Sequence, residues 1–427
     1  MGEVAVIGGG VTGIQAALEI ADHGITVHLI EREPAIGGHM AMLDKTFPTN
    51  DCSLCILSPK MADVARHPHI RLHTCTEVTG VTGSVGHFHI TAKRHPRYID
   101  TSRCTGCGDC IQICPVEVYN RFDAGMGVRK VIYKPHAQAI PDIPIKDQEH
   151  CIECGLCYDI CSLDAIKKED RVEEFSIDVA SIVVATGYAT FDPCSKAWFG
   201  YLAIPDVITN LEFERMISAG GPTGGALRRL SNGETPHSIV FIQCVGSRDA
   251  ARKRPWCSGT CCMAAIKHAI QIKEKYPATE VTICYIDVRA YGKGYEEYYQ
   301  RAERMGVRFL RGMPGDISLT DRCSPVLQVE NTETREVLVL KPDLVVLSVG
   351  MQPAVDTEKL AERLGIEMEE NGFLRPKDQK LGPVLTIRPG IYVAGTATAP
   401  KDIPDCVTAG GAAAMHAFID ATSGDGT

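Results

Sequence analysis

Two runs of cysteine confine a large part of this chain to one kind of structure. Cys104-x-x-Cys107-x-x-Cys110-x-x-x-Cys114-Pro115 is repeated as Cys151-x-x-Cys154-x-x-Cys157-x-x-x-Cys161. Three thiolates at i, i+3 and i+6 on a tight loop converge on one cubane, and Gly106, Gly108 and Gly155 leave room for it. In two-cluster modules the fourth cysteine of each run ligates the other cluster. That rule assigns Cys104, Cys107, Cys110 and Cys161 to one 4Fe–4S centre, and Cys151, Cys154, Cys157 and Cys114 to the second. Ser162 stands where the second run would carry proline. Structural zinc is the competing reading, but it takes four ligands per site and rarely uses this doubled pattern. A disulfide framework belongs to short secreted chains, whereas this chain has 427 residues with 19 cysteines. Its opening MGEVAVIGGG has no basic stretch leading into an apolar one, so no secretory signal is visible. No run of about 18 apolar residues occurs, which predicts no direct membrane span. A net charge of −9 argues against nucleic acid or an anionic membrane surface as the main partner. A cytoplasmic metalloprotein is the expectation.

The amino terminus carries a second strong pattern. Residues 3–9 (EVAVIGG) read as a short buried parallel strand, followed by Gly8-x-Gly10-x-x-Gly13, a helical stretch to about His23, and the strand ITVHLIE ending at Glu31. Gly8 permits the tight turn, Gly10 lets backbone N–H groups approach a pyrophosphate, and Gly13 lets helix and strand pack closely. Thr12 lies within the same turn. Glu31, eighteen residues past Gly13, can accept hydrogen bonds from the adenosine ribose.

Which dinucleotide binds is indicated downstream. Arg32-Glu33-x-x-x-Gly37-Gly38-His39-Met40 resembles the extension that contacts FAD in flavoproteins with two dinucleotide-binding domains, of the glutathione and thioredoxin reductase kind. TEVTGVTG (76–83), which includes Val78, and HFHITAKR (87–94) read as the strand near the adenine and a β-hairpin. SIVVATGY, with Ala185, Thr186 and Gly187, resembles the motif at which such chains turn beneath the FAD. Residues 390–414, with Gly395, Lys401, Asp402 and Pro404, resemble the last strand and helix, whose N-terminus would face the flavin and stabilise negative charge on it. Thr396 replaces the acidic residue usual after that glycine, with Asp402 and Asp405 arriving later. Lys401 and Asp402 can contact the cofactor or simply shape the loop, and Pro404 suits an early helical position.

HSIVFIQCVGSRD (237–249) again reads as strand then turn, where a nicotinamide dinucleotide would bind. Here Cys244-Val-Gly246-Ser-Arg248 replaces the glycine triplet, so the fold is expected without the nucleotide site. Four cysteines enter instead, Cys244, Cys257, Cys261 and Cys262. On chemistry alone they could hold iron–sulfur, zinc or a disulfide.

GGHM at 37–40, TNDCSLCILSPKM at 49–61, the doubled cysteine run, the Cys244…Cys257-x-x-x-Cys261-Cys262 set and APKDIPD at 399–405 together resemble the family of heterodisulfide reductase A subunits over essentially the whole chain. The resemblance implies a flavin-based electron-transfer subunit of an anaerobic complex, with a third 4Fe–4S cluster on Cys244, Cys257, Cys261 and Cys262. It also implies that Lys267, on the helical stretch MAAIKHAIQIKEK, lies near flavin N5. The plain alternative is a solvated lysine like Lys273 and Lys275. Full-length members carry further cluster domains at both ends. Because residue 4 already opens the flavin strand, the chain is similar to the shortened type, as in the A subunit of quinone-interacting oxidoreductases. That makes electron relay a firmer expectation than bifurcation.

Cys52-x-x-Cys55 lies near where disulfide reductases keep a redox-active pair, and can serve as that, as cluster ligands or as buried thiols. Cys75, Cys194, Cys284, Cys323 and Cys406 read as small buried apolar residues. The predicted fold is α/β, a two-dinucleotide-domain flavoprotein with an inserted two-cluster ferredoxin module. Its FAD-binding domain occupies 1–95, 171–235 and 346–427, the module 96–170, and the degenerate second domain 236–345. Expected partners are other redox subunits of a heterodisulfide reductase-like or quinone-interacting complex, with a homodimer inside it as an option and a partner as the route to any tether at the inner membrane face. A stand-alone NAD(P)H-dependent oxidoreductase is the alternative, and a scaffold stabilised by its clusters is a third reading.

Overall fold

The computed structural model describes residues 2–320 and 324–423, so Cys323 lies outside the described residues. The helices used below are α1 (Val11–Asp22), α2 (Ser53–Arg66), α3 (Asp109–Ile113), α4 (Leu156–Ile160), α5 (Asn210–Ile217), α6 (Cys261–Lys275), α7 (Tyr295–Arg304), α8 (Thr357–Leu364) and α9 (Ile403–Thr422).

Val4–Ile7 is four buried apolar residues and runs parallel to Val27–Ile30 on one side and Ser181–Val184 on the other. Ile70–His73 and Ile391–Val393 complete a five-stranded parallel sheet assembled from both ends of the chain. Unbroken apolar strands are what a parallel sheet covered on both faces demands. One face carries a core that includes Ile14, Leu57, Met61, Ala413 and Ala417, from α1, α2 and α9. α9 comes unusually close to α1 because Gly410 faces the Thr12 carbonyl, where a Cβ would lie 2.7 Å from that oxygen. The opposite face carries α8 and an antiparallel sheet of Thr76–Ser84, His87–Arg94 and Glu173–Val179.

Between the paired residues Arg94 and Glu173 the chain loops out into the cysteine-rich module. Its internal repeat is visible in three dimensions. α3 and α4 are equivalent single turns, each preceded by a glycine at positive φ, Gly108 at 90° and Gly155 at 84°. Two buried arginines fasten the module. Arg97 donates to the Ile143 and Pro144 carbonyls in the module, and to the Pro34 carbonyl and Thr74 Oγ1 in the flanking domain. Arg215 on α5 donates to Asp123 Oδ1 of the module at 3.0 Å and to the Met42 carbonyl at 2.9 Å.

The second parallel sheet has the order Val207–Thr209, Leu344–Val349, Ser238–Val245, Glu280–Tyr285, Arg308–Arg311. It takes in residues on both sides of the expected 236–345 span. Val207–Thr209 and α5 join it from upstream, α5 through Phe213 and Met216 in the same core, and Leu344–Val349 continues past residue 345. The physical reason is that Leu344–Val349, which flanks the central strand Ser238–Val245, is itself fully buried and needs a parallel neighbour on its other side, which Val207–Thr209 supplies. Tyr295 and Tyr298 on α7 are buried in that core. Among the described residues no helix is long and apolar enough to cross a membrane.

Candidate functional site

The first site lies at the carboxyl ends of the first sheet. Gly8 (φ 109°) leaves no space, since a Cβ there would meet the Ala185 carbonyl oxygen at 2.3 Å, and a Cβ on Gly13 would meet the Gly8 oxygen at 1.8 Å. Gly10 instead faces open space, and as N-cap of α1 it leaves the first helical N–H groups without a side-chain cap. Bare N–H groups at a helix start, opening onto space, suit a pyrophosphate. Glu31 accepts from the backbone N–H of Gly9 at 2.6 Å and of Glu33 at 2.8 Å. Burial pushes its carboxyl up despite those two bonds, so hydroxyl donors such as a ribose diol would suit the remaining lone pairs. Thr186 Oγ1 is buried with no partner, which also fits an absent ligand. These three observations match what an adenine dinucleotide asks of a protein.

The other predicted contacts divide. Gly38 packs against the Gly10 turn, and His39 stacks on Tyr188 with ring centroids 4.2 Å apart. Burial, aided by Arg32, lowers His39 to about 4, so it is neutral at pH 7. Arg32 is exposed. Met40 is a core residue, and its carbonyl accepts from Ser53 Oγ. Val78 also turns its side chain into the core, while its carbonyl accepts from Arg363. Thr12 packs on Gly395, and Ala185 continues the strand by donating to the Ile7 carbonyl. Gly187, at φ 77°, faces open space like Gly10. Lys401 turns back on Thr398 Oγ1 at 2.6 Å, and burial lowers its pKa. Asp402 caps α9, accepting the Asp405 N–H at 2.9 Å and the Tyr295 hydroxyl at 2.6 Å, with Pro404 in the first turn.

Lys267 is not a solvated helix lysine. It is 2% exposed, and its three donors go to Glu214 Oε1 at 2.7 Å, Glu214 Oε2 at 2.6 Å and the Lys45 carbonyl at 3.0 Å. His268 Nε2 bonds the same carboxylate. Burial opposes ionisation of Glu214, but Lys267 and His268 overcome it and hold the carboxyl well below the usual range. Lys45 pairs in turn with Cys52 across a short hairpin whose strands are two residues each. Cys52 and Cys55 are joined as a disulfide at the start of α2, with Cα atoms 5.2 Å apart. The lysine and the cysteine pair therefore meet at one junction between the two sheets.

In the module, Cys114, Cys151, Cys154 and Cys157 line one recess. Cys110 feels Cys104 and Cys107, together with Cys157 and Cys161; burial, then these neighbours, raises its thiol to about 12. A third set surrounds another recess, lined by Cys244, Cys257, Cys261 and Cys262 with Arg248 and Asp287. A shift of register between Ile242 and Val245, with Cys244 at φ 59°, turns that thiol out of its strand. Cys261 and Cys262 open α6. Burial and the neighbouring sulfurs raise Cys244 to about 12 and push Cys261 up further. Thiols that resist ionisation together are stable as thiolates only around positive charge, which iron supplies. Among the described residues no three His, Cys, Asp or Glu side chains converge as single-ion ligands. Of the isolated cysteines, Cys75, Cys284 and Cys406 are buried, while Cys194 is exposed on a short 3-10 turn, against expectation. Sequence reasoning missed Glu214, Arg97, Arg215 and Lys146, none of which falls in a spaced motif, and passed over Tyr188, which closes SIVVATGY.

Residues 3–50 match the FAD dependent oxidoreductase family and residues 103–166 the 4Fe-4S dicluster domain. FAD and 4Fe–4S clusters are the cofactors of those domains. The iron–sulfur A subunit of the CoB–CoM heterodisulfide reductase of Methanocaldococcus jannaschii is 50% identical over 421 residues, 98% of this chain and 64% of that protein. The A subunit of the H2:CoB–CoM heterodisulfide,ferredoxin reductase of Methanothermobacter thermautotrophicus is 47% identical, again over 98% of this chain and 64% of its own length. The A subunit of the ferredoxin/F420H2-dependent CoB–CoM heterodisulfide reductase of Methanosarcina acetivorans is 44% identical over 96% of this chain and 52% of its own length. The chain thus spans between half and two thirds of these relatives. Thioredoxin reductases of T. acidophilum (TM-score 0.54, 14% identity) and Lactococcus lactis (TM-score 0.53, 18% identity) share the fold, each aligned over 99% of both chains.

Proposed function

The chain is a homologue of the heterodisulfide reductase A subunits over nearly its whole length, and from that premise we propose that it is the flavin and iron–sulfur electron-transfer subunit of a heterodisulfide reductase-like complex. Bound FAD exchanges electrons in pairs or singly, and 4Fe–4S clusters exchange them one at a time. The residues Gly8, Gly10, Gly13 and Glu31 hold the dinucleotide. The two crossed sets in the module and the set at the start of α6 hold three clusters. Lys267 and the Cys52–Cys55 pair serve the junction between flavin and second sheet.

The observation that carries this reading is the recess at the start of α6. In a working nicotinamide domain, a glycine turn and helix N-terminus would receive a pyrophosphate there. Here four cysteines line that place, and a Cβ at Gly246 would run into the Phe191 ring at 2.1 Å. The second sheet is thereby turned from nucleotide binding toward electron transfer, and electrons must come and go through partner redox subunits.

Iron, acid-labile sulfide and FAD per chain, measured on protein purified without oxygen, test the proposal. About twelve irons with one FAD are expected for three cubanes. About eight would confine iron to the module and remove the third cluster. NADH alone should leave the flavin oxidised, and prompt bleaching would revive an NAD(P)H-dependent oxidoreductase.

A further inference from the structure

At the recess of the module's second cysteine set lies a charge that no carboxylate among the described residues balances. Lys146 is 4% exposed. It is held at the end of the short strand Ile145–Lys146, paired with Ile132–Tyr133, and its backbone N–H donates to the Arg97 carbonyl at 3.2 Å. Its ammonium donates to the Tyr158 hydroxyl at 3.0 Å and lies 5.3 Å from the Tyr158 ring and 5.6 Å from the Tyr98 ring. Among the described residues no carboxylate pairs with it. It lines the same recess as Cys114, Cys151, Cys154 and Cys157. The nearby Lys134 donates to the Gly106 carbonyl at 2.7 Å, but Asp142 neutralises it at 2.6 Å.

A buried ammonium that faces two aromatic rings, a hydroxyl and the Cys151 sulfur, with no carboxylate, is costly unless a negative group completes the site. A cubane on four thiolates carries net negative charge, and one-electron reduction adds one more. A fixed cation at its edge therefore favours the reduced form. We propose that Lys146 is the counter-ion of the cluster held by Cys114, Cys151, Cys154 and Cys157, and that it makes this the higher-potential cluster of the module. Within the reading of two module clusters, on which this inference rests, an electron entering the module settles on the second cluster. The first cluster passes electrons on without holding them.

The test is a redox titration of the full chain followed by electron paramagnetic resonance, on wild type, Lys146→Met and Lys146→Arg, with iron counted on each. The second-cluster signal is identified by its loss in Cys154→Ala. In Lys146→Met the second cluster should become at least tenfold harder to reduce relative to the first, 59 mV for a one-electron centre. Lys146→Arg, which keeps the charge, should remain near wild type. Unshifted second-cluster reduction in Lys146→Met overturns the proposal, and so does an equal shift in both variants. Should Lys146→Met lose iron, retention of iron by Lys146→Arg supports the counter-ion role, and loss from both counts against it. Wild-type protein with no two-cluster signal would instead bring down the cluster reading itself.

Discussion

Lys267 and Glu214 form an ion pair almost wholly out of water, and this fixes what replacing either should do. Breaking a buried pair from one side leaves a charge unpartnered, at a cost of about 3–5 kcal/mol. Lys267→Met and Glu214→Gln should each lower the midpoint of denaturant unfolding, and the double variant should lose less than the sum. The pH dependence follows from directions. Glu214 is held below its unfolded pKa, so its stabilisation is complete above the ordinary carboxylate range and drains away as pH falls through the depressed value. His268, lowered first by burial and then by Lys267, acts the same way, because acid must charge a buried imidazole. Stability lost by Glu214→Gln should therefore be nearly constant between about pH 7 and about pH 5, shrinking only in stronger acid. A loss that vanished by about pH 5 would contradict the assigned ion pair.

The turn between Val4–Ile7 and α1 shows why some elements are readable from sequence and others are not. Gly13→Ala would drive a Cβ into the Gly8 carbonyl, so it should destabilise the apoprotein as well as abolish FAD retention. Gly10→Ala meets nothing in the protein; it should fold normally and lose FAD affinity alone. Equal apoprotein stability of the two variants would speak against this division. The glycines of that turn stand together at positions 8, 10 and 13, so the pattern was legible even though Gly8 meets Ala185 from far along the chain, as were the module cysteines with their three-residue spacing. By contrast, Val207–Thr209 is too short to announce which sheet it joins, and its partner lies past residue 344. The resemblance singled out Lys267, but the residues around it could not, because its partners stand 53 and 222 residues away in the chain. Lys146, whose aromatic neighbours Tyr98 and Tyr158 lie on either side of it in sequence, carried no motif at all.

At the scale of the whole molecule, the two buried arginines decide how the module is carried. Arg97 joins it to the loop after Glu31, and Arg215 joins it to α5 and the Met42 loop. Around them the backbone makes a simple exit and return. The chain leaves the flavin domain at Arg94 and comes back at Glu173, which pair directly across the antiparallel sheet and share an ion pair of 2.8 Å. Asp170 gathers both linkers by accepting the backbone N–H groups of Arg97 and Tyr98. A chain in which residues 95–172 are replaced by a two-glycine turn should therefore fold. Arg215→Met would relieve the charge that loses Asp123. Such a protein should retain FAD and lose the module's share of iron, about eight atoms; failure to retain FAD would show that the flavin site depends on the module. In evolutionary terms the insertion is a cassette spliced into one hairpin of its host, so a lineage could gain or discard this stretch of wiring without redrawing a single strand of the nucleotide fold.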